Sequence, residues 1–398
     1  MQAKMTKENV VSGTMLPQRF EKMVISEDSE TETYRCVRCG FCRFACPIFD
    51  ATKVDTFNCR GRIMVERALI EGGLPIDQRA LDILYTCTLC KLCETHCPAK
   101  IKVTDVMHHV REWLAEHGHA LDEHKAIASN IMEIGNTHAQ DPAVFKEVFG
   151  EIITALPKES STLYYAGCVG TIDYPENSLA GIKLLKEAGE EFTMLDSEYC
   201  CGGYLNWLGF TEDFKKESEK NIEIFKSRGI KTIITACPMC ASVFNNDYKE
   251  VSEDVPKAYH ITEVLERLVD EGKIKLTRSL EAKVTFKDPC HLGRYALVYD
   301  APRKLIESIP GVEFVELPET MGEARCCGGP IRVPYTALRN DLTDEIIRDA
   351  AKLDAQFIVT SCPTCHHSLG MRAYRERIRV LELPRLVAYS AGVVDSYR

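Results

Sequence analysis

The chain has 398 residues, 45% hydrophobic and 27% charged, the composition of a soluble globular protein with two or three domains. A formal net charge of −10 argues against a general nucleic-acid binder, and no uncharged run offers the ~18–20 apolar residues that a membrane-crossing helix needs. The 19 cysteines, with no apolar leader before them, read as metal ligands or redox groups rather than disulfides, which sets a cytoplasmic expectation.

In chain order, residues 1–33 are polar, acidic near 27–32, and read as an arm that is either flexible or used in docking. The segment 34–117 carries two runs of identical spacing, "CVRCGFCRFACP" at 36–47 and "CTLCKLCETHCP" at 87–98. In C-x2-C-x2-C-x3-C-P, three close cysteines wrap one [4Fe-4S] cubane cluster and the cysteine before proline ligates the other cluster. Cys36, Cys39, Cys42 and Cys97 are therefore expected on one cubane cluster, and Cys87, Cys90, Cys93 and Cys46 on the second. Two zinc sites are the bland alternative, disfavoured by two matching proline-ended runs of four cysteines. Between the runs, Ile63, Val65, Ala68 and Leu69, then Leu81, Ile83 and Leu84, recur at helical spacing. With that insert the module resembles the α-helical ferredoxin module of succinate dehydrogenase iron–sulfur subunits.

Residues 103–114 continue a helical pattern, and 118–160 reads as a helical linker. His108, His109, His117 and His119 belong to a solvated helix face, because no cysteine or acid completes a recognisable ligand set.

The remainder is a duplication, expected as one α/β domain over 161–280 and another over 281–398. In the first unit, strand "TLYYAGC" ends at Cys168, a helix follows, then strand "FTMLD" and "CCGG" at 200–203. A second helix, strand "KTIITA" and "CPMC" (Cys237, Cys240) complete it. The second unit repeats this order with "AKVTFKDPC" (Cys290), "VEFVEL", "CCGG" (Cys326, Cys327), "QFIVTS" and "CPTC" (Cys362, Cys365). Intervening residues number 31 and 35 in the first unit and 35 and 34 in the second. Alternating strands and helices predict a small parallel sheet in each unit, so the fold class is α+α/β. Each cysteine group follows a strand, at the carboxyl edge where α/β folds place ligands. Five thiols are one more than a simple cubane or a zinc tetrahedron uses. Gly-Gly after the paired cysteines allows the sharp turn that a five-thiolate iron–sulfur site requires.

These motifs, C-x31–39-C-C-x35–36-C-x2-C, are those of the cysteine-rich CCG domain family, from which the second unit departs by one residue in one spacing. Two ferredoxin motifs followed by two CCG domains resemble the fused, D-subunit type of CoB–CoM heterodisulfide reductase, from about residue 34 onward. The motifs use 18 of the 19 cysteines and leave Cys59, read as an ordinary buried thiol. The resemblance implies two noncubane [4Fe-4S] clusters facing each other. One would be held by Cys168, Cys200, Cys201, Cys237 and Cys240, the other by Cys290, Cys326, Cys327, Cys362 and Cys365. It further implies that CoM-S-S-CoB is cleaved between them to two thiols, in methanogenesis-type energy metabolism, with electrons arriving through the cubane clusters. His291, His366 and His367 are candidate proton donors, against a packing reading of equal weight. Of the bases Lys287, Arg294, Arg325 and Arg332, Arg294 and Arg332 are the expected contacts of an anionic substrate.

No G-x-G-x-x-G follows a strand, so no flavin or NAD site is expected in this chain. The implied electron donor is a membrane cytochrome b subunit, of the E-subunit type, or a soluble flavin or ferredoxin partner. A cytochrome b partner would place the chain peripherally on the inner face of the membrane. The same domain order occurs in iron–sulfur subunits of glycerol-3-phosphate, glycolate and lactate dehydrogenases and in thiol:fumarate reductase, which supports an electron-relay alternative. The completeness of both CCG motifs favours disulfide chemistry. A non-catalytic scaffold or cluster-based sensor is a third class, weakened by four cluster motifs in one chain and no DNA-binding signature.

Overall fold

The computed structural model describes residues 20–397. The first nineteen residues of the expected arm lie outside that range. From Phe20 onward the segment is packed: Met23 is buried, and Ser26 caps a helix, Glu27–Arg35, whose Ser29 and Thr33 are buried. The end of the presumed arm is therefore part of the first module.

That module is all helix among the described residues. Asn58 caps Cys59–Ile70 by accepting from the Gly61 N–H at 2.9 Å, and Asp77 caps Gln78–Tyr85 through the Ala80 N–H. Their apolar faces, with that of Val103–Glu116, meet in a core containing Ile63, Leu69, Leu84, Val106 and Val110. The short helices Phe41–Phe44, Pro47–Thr52 and Leu92–Thr95 complete the cysteine loops.

The span expected as a linker does more than connect. Helices Asp122–Ile134 and Ala143–Ala155 pack on the first unit, and the Gly135 carbonyl accepts a hydrogen bond from the Cys200 N–H at 2.9 Å.

Both units contain parallel sheets. The first has β1 (Thr162–Tyr165), β2 (Thr232–Thr235) and β3 (Lys257–His260) in that order. The second has β4 (Ala282–Phe286), β5 (Val312–Glu316), β6 (Phe357–Thr360) and β7 (Arg379–Glu382), ordered β5-β4-β6-β7. The expected strand "FTMLD" is reduced to a single bridge: Thr193 pairs with β1 only through Tyr164 N to Thr193 O and Thr193 N to Thr162 O. It occupies the edge position that β5 fills in the second unit, so the two sheets share one order, with a bridge in the first where the second has a strand. β3 and β7, with the helices that follow them, Ile261–Asp270 and Leu383–Ser390, complete each unit beyond its last cysteine pair.

The units clasp each other reciprocally. Helix Pro175–Glu187 of the first packs on Leu383–Ser390 of the second, and Ile261–Asp270 of the first packs on Asp300–Glu307 of the second. This pseudo-two-fold arrangement buries Ile182, Leu185, Leu265, Ile306, Leu383 and Val387 in one shared core. It turns the carboxyl ends of β1, β2, β4 and β6 toward a common region.

Candidate iron–sulfur centres and the site between them

Each ferredoxin-type loop turns through two left-handed residues at matching positions, Arg38 and Gly40 in the first, Leu89 and Lys91 in the second. Non-glycine residues at positive φ cost energy and persist where a loop must wrap something. A small cavity sits inside each of these loops. Cys36, Cys39, Cys42 and Cys97 line one; Cys46, Cys87, Cys90 and Cys93 line the other. The crossed grouping expected from the spacing is thus the grouping in space. Cys59 lines both cavities, so this buried thiol forms the wall between them. Buried Arg62 reaches Cys46 Sγ at 3.7 Å, placing a cation at the second cavity.

The CCGG stretches are built alike. Gly202 and Gly328 have φ of 75° and 72°, and each N–H points back at 3.4 Å to Sγ of Cys200 and Cys326. The next glycine permits close approach. A Cβ on Gly203 would meet Met239 Cε at 2.7 Å, and one on Gly329 would meet Thr364 Cγ2 at 2.3 Å. Cys237 and Cys362 stand directly before helices that begin with Pro238 and Pro363, which puts Cys240 and Cys365 in their first turns. Sulfur contacts then run in the same order in both units. They connect Cys168, Cys200, Cys201, Cys240 and Cys237 in one, and Cys290, Cys326, Cys327, Cys365 and Cys362 in the other. The Cys168–Cys200 and Cys327–Cys365 separations are 3.9 and 3.3 Å. None of the nineteen cysteines is in a disulfide. Five converging unpaired thiols with backbone N–H groups aimed at sulfur fit a large thiophilic cofactor better than a single ion. The hydrogen bond from Cys200 holds the Cys168 thiol down to about 6, whereas its contact with Cys326 holds Cys290 well above the usual thiol range.

The first module meets the second unit at its cysteines. Cys90 touches Cys326 in a small buried cluster with Leu92. Arg294 is nine-tenths buried, and it donates to the carbonyls of Cys90, Gly322 and Ala324. That clamp engages Nε and Nη1 of the guanidinium expected to bind substrate. Tyr295 adds a bond to Leu89 O at 2.6 Å. Arg325, the neighbour of Cys326, is held by Glu319, Glu345 and Asp50.

His291 also differs from a proton donor. It is 4% exposed and lies between Tyr295 and Trp207, with ring centroids at 4.2 and 4.5 Å. Burial, with Lys91 and Arg294 nearby, pushes its pKa down to about 3, so the imidazole is neutral near pH 7. Its Nδ1 stands 3.4 Å from Cys290 Sγ. Beyond it opens a polar cavity lined by Lys91, Asp105, His108, Asn206 and Asp247. His108 and His109 are hydrogen-bonded there to Asn206 and Ser29, while His117 stacks on Trp113.

Between the units lies a polar network that the motifs did not announce. Thr137 Oγ1 is 3.7 Å from Cys168 Sγ and 2.9 Å from His138 Nδ1; His138 Nε2 is 3.2 Å from Asp173. Asp173 also faces His367 at 3.4 Å, and despite partial burial these two histidines hold its carboxyl well below the usual range. His366 stacks on Tyr174 at 4.2 Å and faces buried Glu382 at 3.5 Å. Arg332 lies close enough to Tyr174 and Tyr204 to act on both electrostatically, and no acid pairs with it among the described residues.

Fold and site together define an iron–sulfur oxidoreductase with a dicluster module in front of paired cysteine-rich units. Family models agree: a 4Fe-4S dicluster domain matches residues 32–101, and a cysteine-rich domain of the CCG type matches 162–245 and 284–370. Over 90% of its length the chain is 29% identical to the D subunit of dihydromethanophenazine:CoB–CoM heterodisulfide reductase of Methanosarcina acetivorans, covering 94% of that protein. It is 28% identical over 83% of its length to EtfAB:quinone oxidoreductase of Syntrophomonas wolfei, of which it spans 54%. A solved structure of a hypothetical protein from Helicobacter pylori shares the fold, with a TM-score of 0.58 and 11% identity over 92% of this chain and 73% of that one. The chain carries a 4Fe-4S dicluster domain and two cysteine-rich domains of the CCG type, and over nearly its whole length it is similar to the D subunit of heterodisulfide reductase. Among the described residues no helix is long and apolar enough to cross a membrane.

Proposed function

We propose that the chain is the catalytic subunit that reduces the heterodisulfide CoM-S-S-CoB to CoM-SH and CoB-SH. The observation that carries this reading is the completeness and matching order of both five-cysteine sets, turned toward one region by the pseudo-two-fold clasp. When bound, two cubane and two noncubane [4Fe-4S] clusters would supply one-electron carriers and thiophilic iron.

The chain's own residues do the rest. The Cys90–Cys326 contact, clamped by Arg294, gives electrons a short path from the second cubane site to the second CCG set. Arg332 offers an unpaired guanidinium to an anionic group of the disulfide. Thr137, His138, Asp173 and His367 form the polar chain through which protons would reach the nascent thiolates near Cys168. Electrons would come from a partner, either a membrane cytochrome b subunit or a soluble flavin or ferredoxin protein.

A second reading, electron relay between a flavoprotein and quinone, is supported by the likeness to EtfAB:quinone oxidoreductase. A relay needs no second complete thiol set, which is why the first reading is preferred. The test is anaerobic oxidation of a reduced viologen dye by cluster-replete protein, with CoM-S-S-CoB and with each homodisulfide. Turnover selective for the heterodisulfide supports the assignment. Full iron content without turnover on any of them sinks it in favour of the relay.

A further inference from the structure

The two five-cysteine sets match in geometry but not in charge. Three positions equivalent relative to the cysteines differ in the same electrostatic sense, while buried Glu382, beside Cys362 at the second set, is faced by His366 at 3.5 Å. Three residues before the first cysteine of each set stand Tyr165 and Lys287. Two residues before the paired cysteines stand Glu198 and Ala324, and sixteen after the second of the pair stand Glu217 and Thr343.

All of these side chains act from inside the protein. Lys287 is 2% exposed, donates to the Asp288 carbonyl and lies amid Cys365, Cys327, Cys290 and Cys326. Asp288 does not neutralise it, because both its carboxylate oxygens are held by Arg303 at 2.9 Å. Arg294 adds a second buried cation near Cys290 and Cys326. At the first set, Tyr165 brings a neutral hydroxyl that donates to the Tyr199 carbonyl. Glu198 accepts from the Ala166 and Gly167 N–H groups at 2.9 and 2.8 Å, close to Cys168 and Cys201. Glu217 is 2% exposed, and its ion-pair partner Lys220 lies 3.9 Å away in solvent contact. His138, which approaches Cys168 through Thr137, is paired with Asp173.

Reduction adds a negative charge to a centre that already holds five thiolates. A buried cation stabilises the reduced state, and a buried carboxyl group gives it no such help. Resting on the reading of both sets as cluster sites, we propose that the protein holds its two CCG centres at different reduction potentials. The Cys290–Cys365 centre, with Lys287 as its buried counter-charge, is the more easily reduced. It is also the centre that touches Cys90. The pair is therefore an ordered one: electrons from the dicluster module collect first beside Lys287, and the Cys168–Cys240 centre is reduced second. The disulfide between them meets one electron-rich and one electron-poor wall.

The experiment is a potentiometric titration of the cluster-replete full chain, with iron counted beforehand and each paramagnetic centre followed by electron paramagnetic resonance. The wild type should show two CCG-type signals with separate midpoints. Lys287→Met should lower the upper one by tenfold or more in its equilibrium, 59 mV for one electron, while the other stays in place. Lys287→Arg should keep the wild-type value. Coincident midpoints in the wild type overturn the proposal whatever the variants do. So does iron-replete Lys287→Met with both midpoints unmoved. Iron stopping at about eight atoms per chain instead of about sixteen overturns the cluster reading itself. About sixteen with coincident midpoints overturns only the ordering.

Discussion

Replacing Arg294 with methionine separates the two roles open to that side chain. In the structure its guanidinium serves three carbonyls, those of Cys90, Gly322 and Ala324, at a site nine-tenths buried. Methionine keeps the apolar stem and removes every donor. Hydrogen bonds to a charged donor are worth ~1.5–3 kcal/mol each, and a buried carbonyl left without its donor costs ~1–3 kcal/mol. About 3–5 kcal/mol is therefore expected for Arg294→Met. Urea denaturation should show a lower midpoint. Because the clamp holds the Cys90 loop on Cys326, kcat should fall with electron supply while KM for the disulfide stays within about twofold. A KM raised about tenfold with an unchanged urea midpoint would refute the clamp and restore a substrate role for Arg294.

Arg332→Ala should do the reverse, raising KM about tenfold, equal to ~1.4 kcal/mol, with stability and iron content intact; an unchanged KM would remove Arg332 from the substrate site. Gly329→Ala sets a Cβ 2.3 Å from Thr364 Cγ2, on a branched side chain with little room to turn. It should cost ~1–3 kcal/mol and strip iron selectively from the second CCG set, which iron analysis and the CCG-type signal would report. Buried Glu66 has its pKa pushed up to about 8 by burial, against the Thr33 hydrogen bond that lowers it. Its protonated form supports folding fully below the unfolded value near 4.5, and that support is lost as pH rises through about 8. Glu66→Gln should therefore denature later than wild type above pH 8, and denaturation curves that stay parallel from pH 5 to 9 would contradict this.

Much of the fold and site is legible in the chain because cysteine spacing is a strong local signal. The repeated C-x2-C-x2-C-x3-C-P runs and the duplicated CCGG stretches indicate the dicluster module, the duplication and the grouping of eighteen thiols. What escapes depends on contacts between distant segments. β3 and β7 lie after the last cysteine of each unit, so the cysteine repeat ends before them; the matching helices Ile261–Asp270 and Leu383–Ser390 are the signal that could have found them. "FTMLD" has strand composition, yet only Thr193 pairs with β1, because composition does not decide how long an edge pairing runs. Arg294 stands four residues from Cys290, which suggests a substrate contact; no local pattern shows that three carbonyls from two modules surround it. Cys59 is a buried thiol, as expected, but its place on the wall shared by both cubane cavities follows from the packing of Cys59–Ile70 between the two loops. His138 and Asp173 belong to no motif, and only the fold brings them to Cys168.

The most direct test of the two CCG sets as one disulfide-cleaving site is heterodisulfide-dependent dye oxidation by wild type, Cys201→Ser and Cys327→Ser, each assayed anaerobically with its iron counted. Wild type should turn over, and both variants should fall to background while the iron of the dicluster module is retained, since each CCG set would hold one half of the site. Wild-type rates in either variant, or none in an iron-replete wild type, would contradict it.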